Sequence, residues 1–442
     1  MRPDAGDVTG LHARRAAAAI LIAGYAVMLA LNAPGQLTYD SVQQLASGRS
    51  GAYNSWHPPI MAWLLGVFDT IVPGTLLFLL FQTLLLLGAL LMLLSLKPRS
   101  IGTVLVALVI VLTPQLLMFQ GQIWKDILSA NAAIAGFTAL AAFAKTERRR
   151  WLVAAALLLA LAAGVRQNAV VLLPVAALAL AWASPRKRWL LGIGFLIVTA
   201  SLGLGTSLWL VARSDGGDGA AAQVRLGQAY DLAGALARNP GLPLPALAAE
   251  DPEFAEVLRQ KSPVLYTPLR NDPFAADPAV NHALSNVPEG TMGRAWKELV
   301  LGHPLLYLRV RLAAFGAVLT TPDSGVCHFS HNGIEGPPDL LRQLGLTPGK
   351  RPQDRAVANY AHLFFATPVY SHVLWGVLAL LLSGLLLRRA QPGDIAIAGL
   401  LVGALVFTLT FAAISIACDY RYLILLDLAA MTGALHWTAK KI

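Results

Sequence analysis

Four short polar strings interrupt an otherwise apolar chain, and each holds residues able to do chemistry. The first, TYDSVQQLASGRSGAYNSWHPP (38–59), places Asp40 in company with Tyr39, Gln44, Tyr53, Asn54, Trp56 and His57. A carboxylate can take the proton of a hydroxyl as that hydroxyl attacks a carbon. Amides, an imidazole and aromatic rings suit the hydroxyls and C–H faces of a sugar. Asp40 and Ser41 read as a helix N-cap, with Gln43 and Gln44 in the first turn and Asp40 and Gln44 on one face. A cap alone would account for Asp40, and an interfacial aromatic belt for the rings. Neither accounts for His57.

The second string, FQGQIWKDI (119–127), carries Lys125 and Asp126, which as helix neighbours point in different directions. The third, GVRQN (164–168), holds Arg166 between two apolar runs, where a guanidinium is expected to face protein or a cavity. The fourth, CDYRYL (418–423), places Asp419 and Arg421 on either side of Tyr420, with Tyr422 next. Lys125, Arg166 and Arg421 suit a lipid phosphate; each also reads as an interface anchor or a rim ion pair. Asp427, one to two turns into the last apolar run, is expected to pair with an Arg or Lys or to be protonated by burial. The string CHFSHNGIE (327–335) has His328, His331 and Glu335 at a spacing a metal tolerates, but no further ligand pattern, and is expected to be a structural loop. There are two cysteines, Cys327 and Cys418. Both are expected to face an oxidising compartment, as a disulfide joining distant segments or as two separate buried thiols.

The elements that must hold these residues follow from composition. The chain has 442 residues, 56% hydrophobic and 13% charged, against about 25% charged in a soluble domain. Its repeated apolar runs of 17 or more residues point to a bilayer. About ten spans are expected, at 16–33, 74–96, 101–119, 127–144, two short ones within 152–184 joined at Arg166–Asn168, then 189–211, 371–387, 395–416 and 421–438. The first run is read as a span, not a cleavable signal. Residues 58–72 and 299–320 read as interfacial or re-entrant helices, with Arg309 and Arg311 snorkelling to lipid phosphates. The fold class is thus all-α and polytopic: an N-terminal membrane module (1–212), a mainly helical extracytoplasmic insert (213–370) and a C-terminal membrane module (371–442).

Charge placement sets the expected orientation. Loops assigned to the cytoplasm hold 16 Lys/Arg and the short outer loops hold four. By the positive-inside rule, both termini lie in the cytoplasm and the polar strings face outward from an inner membrane. The net charge of +10 does not imply nucleic acid, because the insert is near neutral with 14 Lys/Arg against 15 Asp/Glu and no basic stripe interleaves with aromatics.

The string YDSVQQ followed by HPP (39–44 and 57–59), with the KD of 125–126 and the RY of 421–422, resembles the GT-C-fold membrane glycosyltransferases. The resemblance is to the bacterial branch with dolichyl-phosphate-mannose-protein mannosyltransferase-like and lipid A aminoarabinose transferase-like proteins. It covers nearly the whole chain as an arrangement, on short motifs. It implies a polyprenyl-phosphate sugar donor entering from the outer leaflet, Asp40 as general base, and one inverting displacement. Lys125, Arg166 and Arg421 would stabilise the departing lipid phosphate. Gln44 and His57 would bind sugar or acceptor, with Tyr53, Asp126, Asp419 and Tyr422 as further substrate-binding candidates. The acceptor would be a glycolipid, a polysaccharide or a protein, and membrane lipids surround the whole. Many relatives carry paired acids in the first loop, whereas Asp40 has no acidic neighbour, so a divalent metal stays open. Many also carry a soluble C-terminal domain, whereas the insert here lies between spans, so the acceptor class stays open. Two other readings stand beside this one. An O-antigen ligase-like or polymerase-like enzyme would work through His303, Arg309 and Arg311. A lipid-linked sugar transporter or flippase would place its polar residues near the midplane.

Overall fold

The computed structural model describes residues 5–184, 188–214 and 219–439. Apolar runs fold as helices because a bilayer offers backbone groups no water to bond. Among the described residues the only strand-like pairing is a handful of isolated bridges. The first half contains α1 (Ala5–Asn32), α2 (Tyr39–Ser50), α3 (Pro59–Ile71), α4 (Leu76–Leu96), α5 (Ile101–Leu112), α6 (Pro114–Leu117), α7 (Lys125–Thr146), α8 (Arg149–Val165), α9 (Leu172–Ala183) and α10 (Arg188–Ala212). The insert is a run of shorter helices: α11 (Gly219–Arg238), α12 (Pro245–Glu250), α13 (Pro252–Leu265), α14 (Asp272–Ala275), α15 (Pro278–Asn286), α16 (Thr291–Gly302), α17 (Pro304–Thr320), α18 (Pro338–Leu344) and α19 (Pro352–His362). Then come α20 (His372–Arg389), α21 (Pro392–Ile414) and α22 (Ile424–Trp437).

Six of these helices, α1, α4, α7, α10, α20 and α21, are long and apolar enough to cross a membrane, or up to eight if each of two bent pairs counts as one. The expected ten exceeds this number for local reasons. Pro114 breaks the third run with a 57° bend. The run 152–184 splits at Arg166, as expected, but into helices of 17 and 12 residues. The last run is a 14-residue helix after a turn of 3-10 helix. All three helices are shorter than the roughly 20 residues a spanning helix needs.

The bundle centres on α7, whose apolar window is 89% buried while that of α10 is 22% buried. The sequence of α7 explains this. Its Ala, Gly and Ser residues let neighbours approach closely; a Cβ on Gly136 would lie 2.7 Å from Leu159. A central helix holds its first residues, Lys125 and Asp126, in one fixed place.

One end of the bundle is sewn together by backbone. Gln36 N–H donates to Gly121 at 2.9 Å, Ile123 N–H donates to Gln36 at 3.0 Å, and Leu37 N–H donates to Gly333 at 3.0 Å. Gly333 has φ +88°, and a Cβ there would sit 2.3 Å from the Gly349 carbonyl, so only glycine fits. Three loops far apart in sequence thereby meet around residues 36–41.

Several charges sit differently from the sequence expectation. Arg311 does not snorkel. It is 4% exposed, pairs with Asp231 at 2.9 Å, and donates to the Ala412 carbonyl at 3.0 Å. The run 299–320 is no single helix either, since α16 and α17 meet at 104° before Pro304. Lys97 and Arg99 lie in the loop between α4 and α5, as expected, and both are held by partners. Lys97 bonds Asp394 and Gln391, each at 2.6 Å, and fully buried Arg99 donates to the carbonyls of Leu93, Leu94 and Leu435. Asp427 meets neither Arg nor Lys: His372 Nδ1 lies 2.8 Å from one oxygen and Tyr420 donates to the other at 2.6 Å.

Candidate functional site

The loop 33–38 delivers the chain into α2, and Thr38, not Asp40 or Ser41, is its N-cap residue. Ser41 Oγ donates to the Ile123 carbonyl at 2.6 Å, and Trp124 Nε1 donates to Thr38 Oγ1 at 3.1 Å. The start of α2 is therefore nailed to the loop before α7. Asp40 occupies the first turn, where the positive end of the helix dipole favours a carboxylate.

Around Asp40 the structure gathers two cations and an imidazole from three distant segments. Arg421 Nη2 lies 3.2 Å from Asp40 Oδ2, and His57 Nε2 lies 3.7 Å from Oδ1. Lys125 Nζ lies 3.1 Å from His57 Nδ1. Burial pushes the Asp40 carboxyl up, but the charges of Arg421, His57 and Lys125 and the Arg421 hydrogen bond leave it net below the ordinary carboxylate value. Burial, and then the Lys125 charge, bring the His57 imidazole down to about 4. His57 is thus neutral near pH 7. Its Nδ1 accepts from Lys125, which assigns the proton to Nε2, facing Asp40.

A second layer holds Arg421. Its Nε lies 3.3 Å from Asp419 Oδ2 and 3.9 Å from Asp126 Oδ2, and its guanidinium lies 4.8 Å over the Trp124 ring. Burial works against the Arg421 cation, yet Asp419 and Asp40 raise its guanidinium above its ordinary value. Asp419 is gripped from the other side by Arg270 of the insert, and His328 Nδ1 lies 3.3 Å away. Burial pushes the Asp419 carboxyl up, but the His328 hydrogen bond and the two arginines bring it well below the ordinary range. Arg270 also donates to the Val326 carbonyl. Cys327 and Cys418, the neighbours of His328 and Asp419, are joined as a disulfide with Cα atoms 4.8 Å apart.

Arg166 is 8% exposed and forms an ion pair with Asp126. Its Nε donates to Asn168 at 3.0 Å, and its guanidinium packs over Phe407, Phe411 and Tyr422 at 5.2–5.4 Å. Tyr422 stacks on Phe411.

Asp40, His57, Lys125, Asp126, Arg166, Asp419, Arg421 and Tyr422 therefore form one connected network. Gln44 and Tyr53 do not join it. Gln44 is buried one turn beyond Asp40, with its amide oxygen lacking a hydrogen-bond partner. The Tyr53 ring packs against the apolar cluster under α2 and α3. Thr38, Trp124, Arg270 and His328 have places in the site that their residue types alone did not assign. For Trp124, adjacency to Lys125 was the available signal; for Arg270, one basic residue among many in the insert, there was none.

His331 is apart from His328. Its Nε2 bonds the Leu37 carbonyl at 3.1 Å and its Nδ1 lies 4.0 Å from Glu335. No group of three or more His, Cys, Asp or Glu side chains gathers to hold a metal among the described residues. Asp126 and Asp419 are each committed to two arginines, and Asp40 faces cations. This donor set does not fit a resident divalent ion, whose hard oxygen ligands would have to converge.

Comparison with protein-family models and with curated protein sequences finds no match. Among solved structures, the chain is similar to the archaeal oligosaccharyltransferase AglB from Archaeoglobus fulgidus, in complex with an inhibitory peptide and a dolichol-phosphate. The TM-score is 0.37 and the identity 13%, over 95% of this chain. The chain spans about half of that protein, 49% of its length.

Proposed function

We propose that this chain is a membrane glycosyltransferase that moves a sugar from a polyprenyl-phosphate donor to an extracytoplasmic acceptor, a glycolipid, polysaccharide or protein, with Asp40 as general base. One observation carries the reading. Of the three carboxylates in the network, the Asp40 side chain is 32% exposed, while Asp126 and Asp419 are 1% and 7% exposed. The two buried acids are counter-ions. Asp40 alone can reach an incoming hydroxyl, and its Oδ1 accepts no hydrogen bond among the described residues, with His57 Nε2 3.7 Å away.

The chemistry follows from the charges. The acceptor O–H gives its proton to Asp40 as its oxygen bonds to the anomeric carbon. The bond from that carbon to the phosphate oxygen breaks on the opposite face, and its electron pair leaves with the lipid phosphate. Lys125 and Arg421 supply positive charge where the phosphate charge grows. Arg166, paired with Asp126, acts through that pair to set the first turn of α7, so its contribution is positioning. One displacement inverts the anomeric centre. The ligase-like alternative loses a cation, because Arg311 is buried against Asp231. The charge-based topology puts the network on the outer face.

The test is transfer of label from a panel of polyprenyl-phosphate sugars by the reconstituted chain. Labelled glycoside of inverted configuration is the expected product. Label crossing the bilayer without a new glycosidic bond would make the chain a transporter.

A further inference from the structure

At the end of the bundle opposite this network, the C-terminal turns of α9, the start of α10, the last turns of α20 and the start of α21 enclose an apolar groove of about 520 Å³. That is within the roughly 300–1,000 Å³ of ordinary ligand sites. Its shape has a cause in the sequence. Ala179, Ala398 and Gly399 form a floor of buried small residues; a Cβ on Gly399 would lie 2.8 Å from that of Ala179. Trp182 and Trp189, 61% and 56% exposed, stand up as walls. Helices that touch at small residues but carry tryptophans above them leave a slot.

The lining is one-sided in charge. Arg188 is its single charged residue, and no Asp or Glu lines the groove among the described residues. The Arg188 guanidinium lies over the Trp189 ring, 5.7 Å from its centroid. In sequence it closes the basic run Arg186–Lys187–Arg188. A hydrocarbon slot whose rim offers a cation with no carboxylate partner among the described residues, flanked by exposed tryptophans of the kind that favour membrane interfaces, matches a lipid with an anionic head. The positive-inside orientation places this end in the cytoplasmic leaflet.

We infer that the groove is a binding site for an anionic phospholipid of the cytoplasmic leaflet, one acyl chain lying on Ala179, Ala398 and Gly399 and the phosphodiester on Arg188. The inference rests on the membrane orientation and is independent of the glycosyl-transfer reading. A basic pocket between helices on the cytoplasmic side is the geometry that selects anionic head groups.

The experiment titrates the delipidated full-length chain in detergent with dioleoyl-phosphatidylglycerol, dioleoyl-phosphatidylcholine or polyprenyl phosphate and follows the melting temperature. A lipid that binds only the folded state raises it by mass action. Phosphatidylglycerol should raise it at lower concentration than phosphatidylcholine. Arg188→Gln, at an exposed position, should weaken the phosphatidylglycerol response about fivefold, the worth of one basic residue near an anionic surface. Val402→Trp, which fills the groove, should abolish it. Equal responses to the two phospholipids, or an unchanged response in Arg188→Gln, would overturn the inference even if Val402→Trp does not fold. Stabilisation by polyprenyl phosphate with none by phosphatidylglycerol would also overturn the inference, since the Asp40 network is itself proposed to take that lipid.

Discussion

Arg421 Nη2 lies 3.2 Å from Asp40 Oδ2, so residues 381 positions apart form one ion pair at the end of the bundle. The same guanidinium, through Nε, meets Asp419 at 3.3 Å. It is both a partner of the candidate base and a cation able to face a leaving phosphate. Arg421→Ala should lower kcat/KM by about 10²–10³, as loss of one transition-state charge contact does. Arg421→Lys should recover only part, because a point charge cannot span two carboxylates as a planar fork does. Steady-state kinetics on both variants check this.

The pH profile follows from the directions of the shifts. Asp40 is held below the ordinary carboxylate value, so the base is ionised above that lowered value and is lost only as pH falls through it. His57 is neutral above about 4 and gains charge as pH falls through that point. The acid limb of kcat/KM should therefore lie below pH 5, with no inflection near the ordinary histidine value of about 6.5. A pH–rate profile with an inflection near 6.5 in the wild type that disappears in His57→Gln would contradict the arrangement.

The disulfide joins the loop carrying His328 to the loop carrying Asp419 and Arg421. Its loss should cost about 2–5 kcal/mol of stability. Cys327→Ser with Cys418→Ser should melt at lower temperature than the oxidised chain, turn over more slowly, and show no further change with reductant. Melting curves with and without reductant separate these outcomes.

The buried Arg311–Asp231 pair ties the insert to α21 through the Ala412 carbonyl. Asp231→Asn should destabilise by about 3–5 kcal/mol, because it strands a buried charge. Asp231→Leu with Arg311→Met should regain much of that stability and keep transfer activity. Loss of transfer in a folded double variant would return chemistry to Arg311.

Much of this site is legible in the sequence because a bilayer makes charge expensive. Asp40, Lys125, Asp126, Arg166, Asp419 and Arg421 stand out against apolar runs, and the network contains all six. Their division of labour is not legible. Burial commits Asp126 to Arg166 and leaves Asp40 accessible, and residue types alone do not tell base from counter-ion. Gln44 shares the Asp40 helix, but its side chain is buried. Arg270 and Arg311 sit in an insert of balanced charge, where partners 149 and 80 positions away leave no periodicity to read. Pro114 and Arg166 announce the breaks in two apolar runs; whether the short helices on either side cross a membrane depends on packing that no local pattern records.

The central claim is that Asp40 takes the proton of the acceptor. The most direct measurement is single-turnover transfer from a polyprenyl-phosphate sugar by Asp40→Asn, with Asp419→Asn beside it as a variant of a buried counter-ion. Asp40→Asn should lower the rate of the chemical step by about 10²–10⁴, the usual worth of a positioned general base, while donor binding persists. A chemical step of wild-type rate in Asp40→Asn would contradict the account.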